Sequence, residues 1–165
     1  MKILIACEYS GRVRDAFAAL GHDAMSCDLL PTEAPGNHYQ GDVRDVLSEQ
    51  WDLLIAHPEC TYLTNAGVCH LHTDPKRWPK LFDAAEFFKL FLNADHIPMR
   101  AIENPIMHKY AKTLIGGGET EPGCSALDVW THGAESYLFV VERFRATKAN
   151  KYRQGEDDAF TKKSA

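Results

Sequence analysis

The chain has 165 residues, 45% apolar and 25% charged, which fits one globular domain with a short remainder and excludes wholesale disorder. Its 18 basic residues against 23 acids give a formal charge of −5, so a polynucleotide partner needs a locally basic surface. No apolar run reaches the roughly 18 residues of a membrane span, the amino terminus has no signal-peptide pattern, and the 5 irregularly spaced cysteines fit reduced thiols; a cytoplasmic protein with no membrane partner is expected.

Residues 3–6 are a short apolar run and predict a buried strand. It runs into Cys7-Glu8-Tyr9-Ser10-Gly11 and then a Val13, Ala16, Phe17, Leu20 stripe, which is helical spacing stopped by Gly21. Residues 23–28 predict a second strand that ends in Asp28, and residues 41–47 a strand end and turn containing Asp42. Residues 51–56 predict a stronger strand, stopped at His57-Pro58. Loops are expected at 31–37 and 73–79, both rich in proline and polar residues. Ala84, Phe87, Phe88 and Phe91 share one face of a helix over 84–92, and residues 100–102 form a brief strand before Glu103-Asn104-Pro105. Such alternation predicts an α/β fold, a mostly parallel sheet with helices on both faces.

In an open α/β sheet, ligands bind outside the carboxyl ends of the strands. Those ends carry Glu8, Tyr9, Ser10 and Gly11, then Asp28, Asp42, the His57-Pro58-Glu59-Cys60 segment and Glu103-Asn104-Pro105. A carboxylate closing the second strand suits a ribose diol, and the alternative for Asp28 is a turn acid or helix cap. One glycine in the first turn is too few for a pyrophosphate cradle, so a nucleoside ligand is expected. Cys60 and Glu103 at neighbouring strand ends pair a nucleophile with a proton donor; the alternative is a buried inert thiol and a loop acid. Cys60, Cys69, His70 and His72 fit no common zinc spacing, and no metal is expected. Arg12, Arg14, Lys76, Arg77, Lys80, Lys109 and Lys112 are candidates for a basic rim.

The order Glu8-Tyr9-Ser10-Gly11, Asp28, Asp42, Pro58-Glu59-Cys60-Thr61-Tyr62-Leu63 and Ile102-Glu103-Asn104-Pro105 resembles the cytosine-C5 DNA methyltransferase family, most closely its short phage members, over residues 1–117. The resemblance implies a Rossmann-like methyltransferase fold with S-adenosylmethionine across Glu8, Tyr9, Ser10, Gly11 and Pro58. Asp28 would hold its ribose, and Asp42 would approach its adenine. It implies that Cys60 is the nucleophile and Glu103 the acid, with Thr61, Asn104 and Pro105 near the substrate base. The partner would be DNA, its cytosine flipped or single-stranded. Thiolate addition at C6 makes C5 of cytosine nucleophilic, and an acid at N3 balances the charge that develops on the ring. Glu59 stands where the family has a second proline. Two other readings stay open: a degenerate fold that binds nucleoside or nucleic acid without turnover, and an enzyme of free pyrimidine nucleotides.

The resemblance ends near Gly117. Family members continue with a Trp-Met-Phe-Gly segment and a Lys-Ala-Thr-Cys-Leu-Trp-Leu-Lys-Gly segment. Synonymous codons for 126–130 and 135–144, read one base out of step, reproduce both. Residues 1–117 are therefore expected to form the core, 118–147 an atypical segment out of frame with the family, and 148–165 a disordered tail. The fold would be incomplete at its carboxyl end, with a sheet edge left open.

Overall fold

The computed structural model describes residues 1–116, together with the backbone of residues 131–132 and 135–143. Strand β1 (Lys2–Ala6) is joined through helix α1 (Arg12–Ala19) to β2 (Asp23–Asp28). Next come β3 (His38–Gln40), α2 (Arg44–Leu47) and β4 (Leu53–Ala56). Helix α3 (Asn65–Val68) and a 3-10 turn (Cys69–Leu71) precede α4 (Arg77–Leu92), β5 (Met99–Pro105) and α5 (Lys109–Ile115). Backbone alone is described for β6 (Thr131–His132) and β7 (Glu135–Arg143).

Strands β1 to β5 are all parallel, and the sheet order is β3-β2-β1-β4-β5-β7-β6. Alternation along the strands sorts the core onto two faces. Ile3 and Ile5 pack with Ala24, Val13 and Phe17 beneath α1. Leu4, Ala6, Leu54, Ala56 and Ile102 share the other face with Leu81, Ala85, Phe88 and Phe91 of α4. Both faces are thus covered, as a parallel sheet requires. Each buried phenylalanine of α4 contributes roughly 1.5–3 kcal/mol by leaving water.

Several expectations need correction. The helix expected over 84–92 begins at Arg77, so the end of the expected 73–79 loop is helical. Pro79 falls in the first turn, where a backbone N–H has no intrahelical acceptor to lose. The segment 41–47 is the α2 turn, and the short strand lies before it, at β3. Arg14 belongs to no basic rim. It is 1% exposed, and its guanidinium donates to Asp15, the Ser26 and Thr32 hydroxyls, and the carbonyls of Ala34 and Pro35. It thereby ties the 32–36 loop to α1 and β2. Gly11, at φ 77°, passes so close that a Cβ there would strike the Arg14 side chain.

The open edge is also overturned at β5. Strand β7 pairs antiparallel along all of β5, from Met99↔Arg143 to Pro105↔Tyr137. The run Tyr137-Leu138-Phe139-Val140-Val141 has the β-branched and aromatic content that favours strand pairing, whatever its reading frame. The expected disorder of 148–165 lies outside the described residues, and of the atypical segment 118–147 only the backbone of 131–132 and 135–143 is described.

Candidate functional site

The order of strands reverses between β1 and β4, so the connections leaving their carboxyl ends run in opposite directions and leave a crevice. A cavity of about 810 Å³ sits there. Tyr9 after β1, Asp28 and Leu29 at the end of β2, Asp42 after β3, His57 after β4 and Phe87 of α4 all line it. Three of the sequence-derived site residues, Tyr9, Asp28 and Asp42, therefore meet in one place.

The two acids are held differently. Asp28 accepts the Leu30 N–H at Oδ1, 2.9 Å away, a turn bond that fixes the carboxylate at the strand end. Its Oδ2 accepts no hydrogen bond among the described residues. Asp42 accepts the Arg44 backbone N–H at 2.9 Å and pairs with the Arg44 guanidinium at 2.8 Å. The backbone N–H bond, aided by the guanidinium, holds the Asp42 carboxyl below its ordinary range.

Two thiols that the sequence did not assign to the site, Cys7 and Cys27, also line this wall. Cys7 follows β1 in the left-handed region, φ 58°, the sole non-glycine residue there among the described residues. Such a backbone costs about 1–2 kcal/mol in an L residue. Burial, helped by Asp28, Cys27 and Asp42, pushes the Cys7 thiol up to about 12. Burial and the same acids push Cys27 up to about 11. Both thiols are neutral near pH 7, which keeps the negative charge of this wall on the carboxylates.

The other expected ligand residues stand elsewhere. Glu8 is 7% exposed and turns to the start of α1, where Oε1 accepts the Arg12 N–H at 3.0 Å and the Ser10 hydroxyl. A carboxylate at that position also meets the favourable end of the helix dipole. Its Oε2 is buried with no partner among the described residues. Ser10 and Gly11 shape this turn and do not line the cavity. Pro58 is buried beside it, while Glu59 reaches its wall.

Cys60 is half-buried just past β4, and its thiol makes no hydrogen bond among the described residues. Its carbonyl closes a turn by accepting the Leu63 and Thr64 N–H groups. Thr61 is exposed. No hydrogen bond joins Glu103 to the thiol among the described residues. Its Oε2 lies 2.5 Å from His57 Nδ1, with the two side chains 28% and 27% exposed. Asn104 is buried; its Nδ2 donates to the Pro105 carbonyl at 2.5 Å, and its Oδ1 has no partner among the described residues. Pro105 ends β5 half-buried.

The Cys60 loop is nonetheless laced to the segment that follows β5. Thr64 bridges Met107, His108 N–H donates to the Leu63 carbonyl at 3.0 Å, and Asn65 N–H donates to Ile106. His108 is buried, a cap at the start of α5 that the sequence reading missed. Beside this loop Arg77 and Lys80 lie over the Tyr62 ring, and Lys109 lies over Tyr110. Arg12, Lys76, Lys109 and Lys112 are exposed. Cys69 and His70 are exposed too, and the His72 ring faces Tyr110 and Trp78. Among the described residues no helix is long and apolar enough to cross a membrane. A scan of protein-family models and a search of curated proteins match nothing to this chain.

Proposed function

We propose that the chain transfers a methyl group from S-adenosylmethionine to C5 of cytosine in DNA, with Cys60 as nucleophile and Glu103 as acid. The observation that carries this reading is the cavity at the β1/β4 crevice, with Asp28 and Asp42 on its wall and the Cys60 loop laced to the end of β5 beside it. The strand order, with β7 reversed, suits the methyltransferase fold that the family resemblance implies.

The residues present fit the cofactor. A volume of about 810 Å³ lies within the range of small-molecule sites, roughly 300–1,000 Å³. Asp28 Oδ2 is available to a ribose hydroxyl, and Leu29 and Phe87 offer apolar surface to a base. When bound there, S-adenosylmethionine supplies an electrophilic methyl group on its sulfonium. The chain's own part is to present Cys60 Sγ to C6 of the cytosine, to deliver a proton at N3 from Glu103, and to keep water from the ring. Arg77, Lys80 and Lys109 supply positive charge next to that loop, which an acidic chain needs to hold a phosphate backbone.

Radiolabelled methyl transfer to cytosine-containing DNA, run against free dCMP, tests the reading. Label in DNA supports it. Label only in dCMP moves the substrate to free nucleotides, and binding of S-adenosylmethionine with no transfer leaves a binding protein.

A further inference from the structure

His57 has no role in the reaction as set out above, yet it makes the closest polar contact to the acid that does. The β4–β5 register, Ala56↔Ile102, brings His57 level with Glu103 one step beyond the paired residues. Its Nδ1 is 2.5 Å from Glu103 Oε2. On the far side of Glu103, the backbone of β7 pairs it with Phe139.

The other ring nitrogen decides what the contact is. His57 Nε2 is buried with no hydrogen-bond partner among the described residues. A proton on Nε2, carried by the other neutral tautomer and by the imidazolium alike, would be a buried donor without an acceptor. The neutral ring with its proton on Nδ1 avoids this. Nδ1–H therefore donates to Glu103 Oε2.

We infer that His57 is the positioning residue for Glu103: its Nδ1–H fixes one carboxyl oxygen, so that Oε1 is the oxygen offered to the substrate base. This rests on the proposed function. As the Cys60 thiolate bonds to C6, the C5=C6 π bond breaks and the displaced electron pair moves through C4 to N3. N3 takes its proton from Glu103 Oε1, which leaves Glu103 a carboxylate. The donor at Oε2 then faces an anion, and such a hydrogen bond is roughly twice as strong as one to a neutral group. An interaction that strengthens along the reaction lowers the barrier and does not merely tighten binding. His57 is thus expected to act on kcat and to leave the KM for DNA nearly unchanged.

The test uses the full chain and has two arms. In the first, ¹⁵N-labelled wild-type protein without ligand is examined by NMR. The inference expects a His57 ring proton on Nδ1, shifted far downfield and lost in Glu103→Ala; a His57 protonated on Nε2 alone overturns it. In the second, methyl transfer to DNA is measured for His57→Leu and His57→Asn. The leucine removes the donor, and kcat should fall about 10- to 100-fold, the scale of losing a catalytic group's alignment. The asparagine amide stands close to where Nδ1–H stood and should restore most of it. Equal loss in both variants, or loss confined to KM, overturns the inference while the proposed function stands. If wild-type protein transfers no methyl group, the proposed function falls together with this role, and the NMR arm alone decides the pairing.

Discussion

His108 donates from Nε2 to the Tyr62 carbonyl at 2.9 Å and accepts the Ala111 N–H at Nδ1, 3.1 Å away. A carbonyl can only accept and an amide N–H only donate, so the ring is neutral and protonated on Nε2. One side chain therefore caps α5 and holds the loop that carries Cys60. Replacing it with leucine leaves the Tyr62 carbonyl unpaired and removes the cap, at a cost of about 1–3 kcal/mol in stability. Denaturant unfolding checks the magnitude. Methyl transfer by the folded variant should be slower than wild type, because the Cys60 loop loses its tether. An unchanged rate would mean that the loop is held by its backbone bridges alone.

Asp28 is expected to carry the ribose. Asp28→Ala should weaken S-adenosylmethionine binding by about 1–3 kcal/mol, the cost of leaving polar groups of the ligand unpaired. Titration calorimetry reads this directly. Since Asp28 also accepts the Leu30 N–H, Asp28→Asn is the better-behaved companion: it keeps that turn and should lose less. Affinity equal to wild type in both variants would remove the ribose from Asp28.

The thiols on the cavity wall predict a loss of stability in alkali. An ordinary thiol ionises at 9.0, while Cys7 in the folded chain does so only at about 12, chiefly through burial. Between those values the unfolded chain has lost a proton that the folded chain keeps. Stability is therefore whole below pH 9 and falls as the pH rises toward 12, at most by about 1.4 kcal/mol per pH unit for one such thiol. Cys27 adds a similar fall between 9.0 and about 11. Cys7→Ala should unfold less steeply with pH than wild type over this window. Parallel curves for the two proteins would rule out the buried neutral thiol.

The parts of the fold that sequence made legible are those whose residues speak locally. Strands β1, β2 and β4 announce themselves as apolar or alternating runs, and α1 by its stripe. Strand β3 is His38-Tyr39-Gln40 at the edge of the parallel sheet, with no buried residue, so it carries no apolar signal. Helices α3 and α5 span 4 and 7 residues, too short for a periodic stripe. Pro79 disguised the start of α4, because a proline reads as a break unless its place in the first turn is known.

The site divides the same way. Asp28 and Asp42 could be placed from topology alone, since the ends of parallel strands gather at the crevice. The pairing of His57 with Glu103 could not, because it depends on the β4–β5 register, which only tertiary packing sets. Arg14 was misplaced for a related reason. Its charge suggests a surface, but its partners come from the 32–36 loop, and no local pattern says that the loop folds back over α1.

The proposed function turns on attack by Cys60 on cytosine in DNA. Its most direct test is incubation of the protein with S-adenosylmethionine and a DNA duplex carrying 5-fluorocytosine, followed by denaturing electrophoresis and peptide mapping. Fluorine at C5 cannot leave as a proton does, so a nucleophile that has added to C6 stays attached. A covalent protein–DNA species is expected that depends on S-adenosylmethionine, maps to Cys60 and is absent from Cys60→Ser. A folded protein that binds S-adenosylmethionine and yields no adduct, or one whose adduct maps to another cysteine, would contradict it.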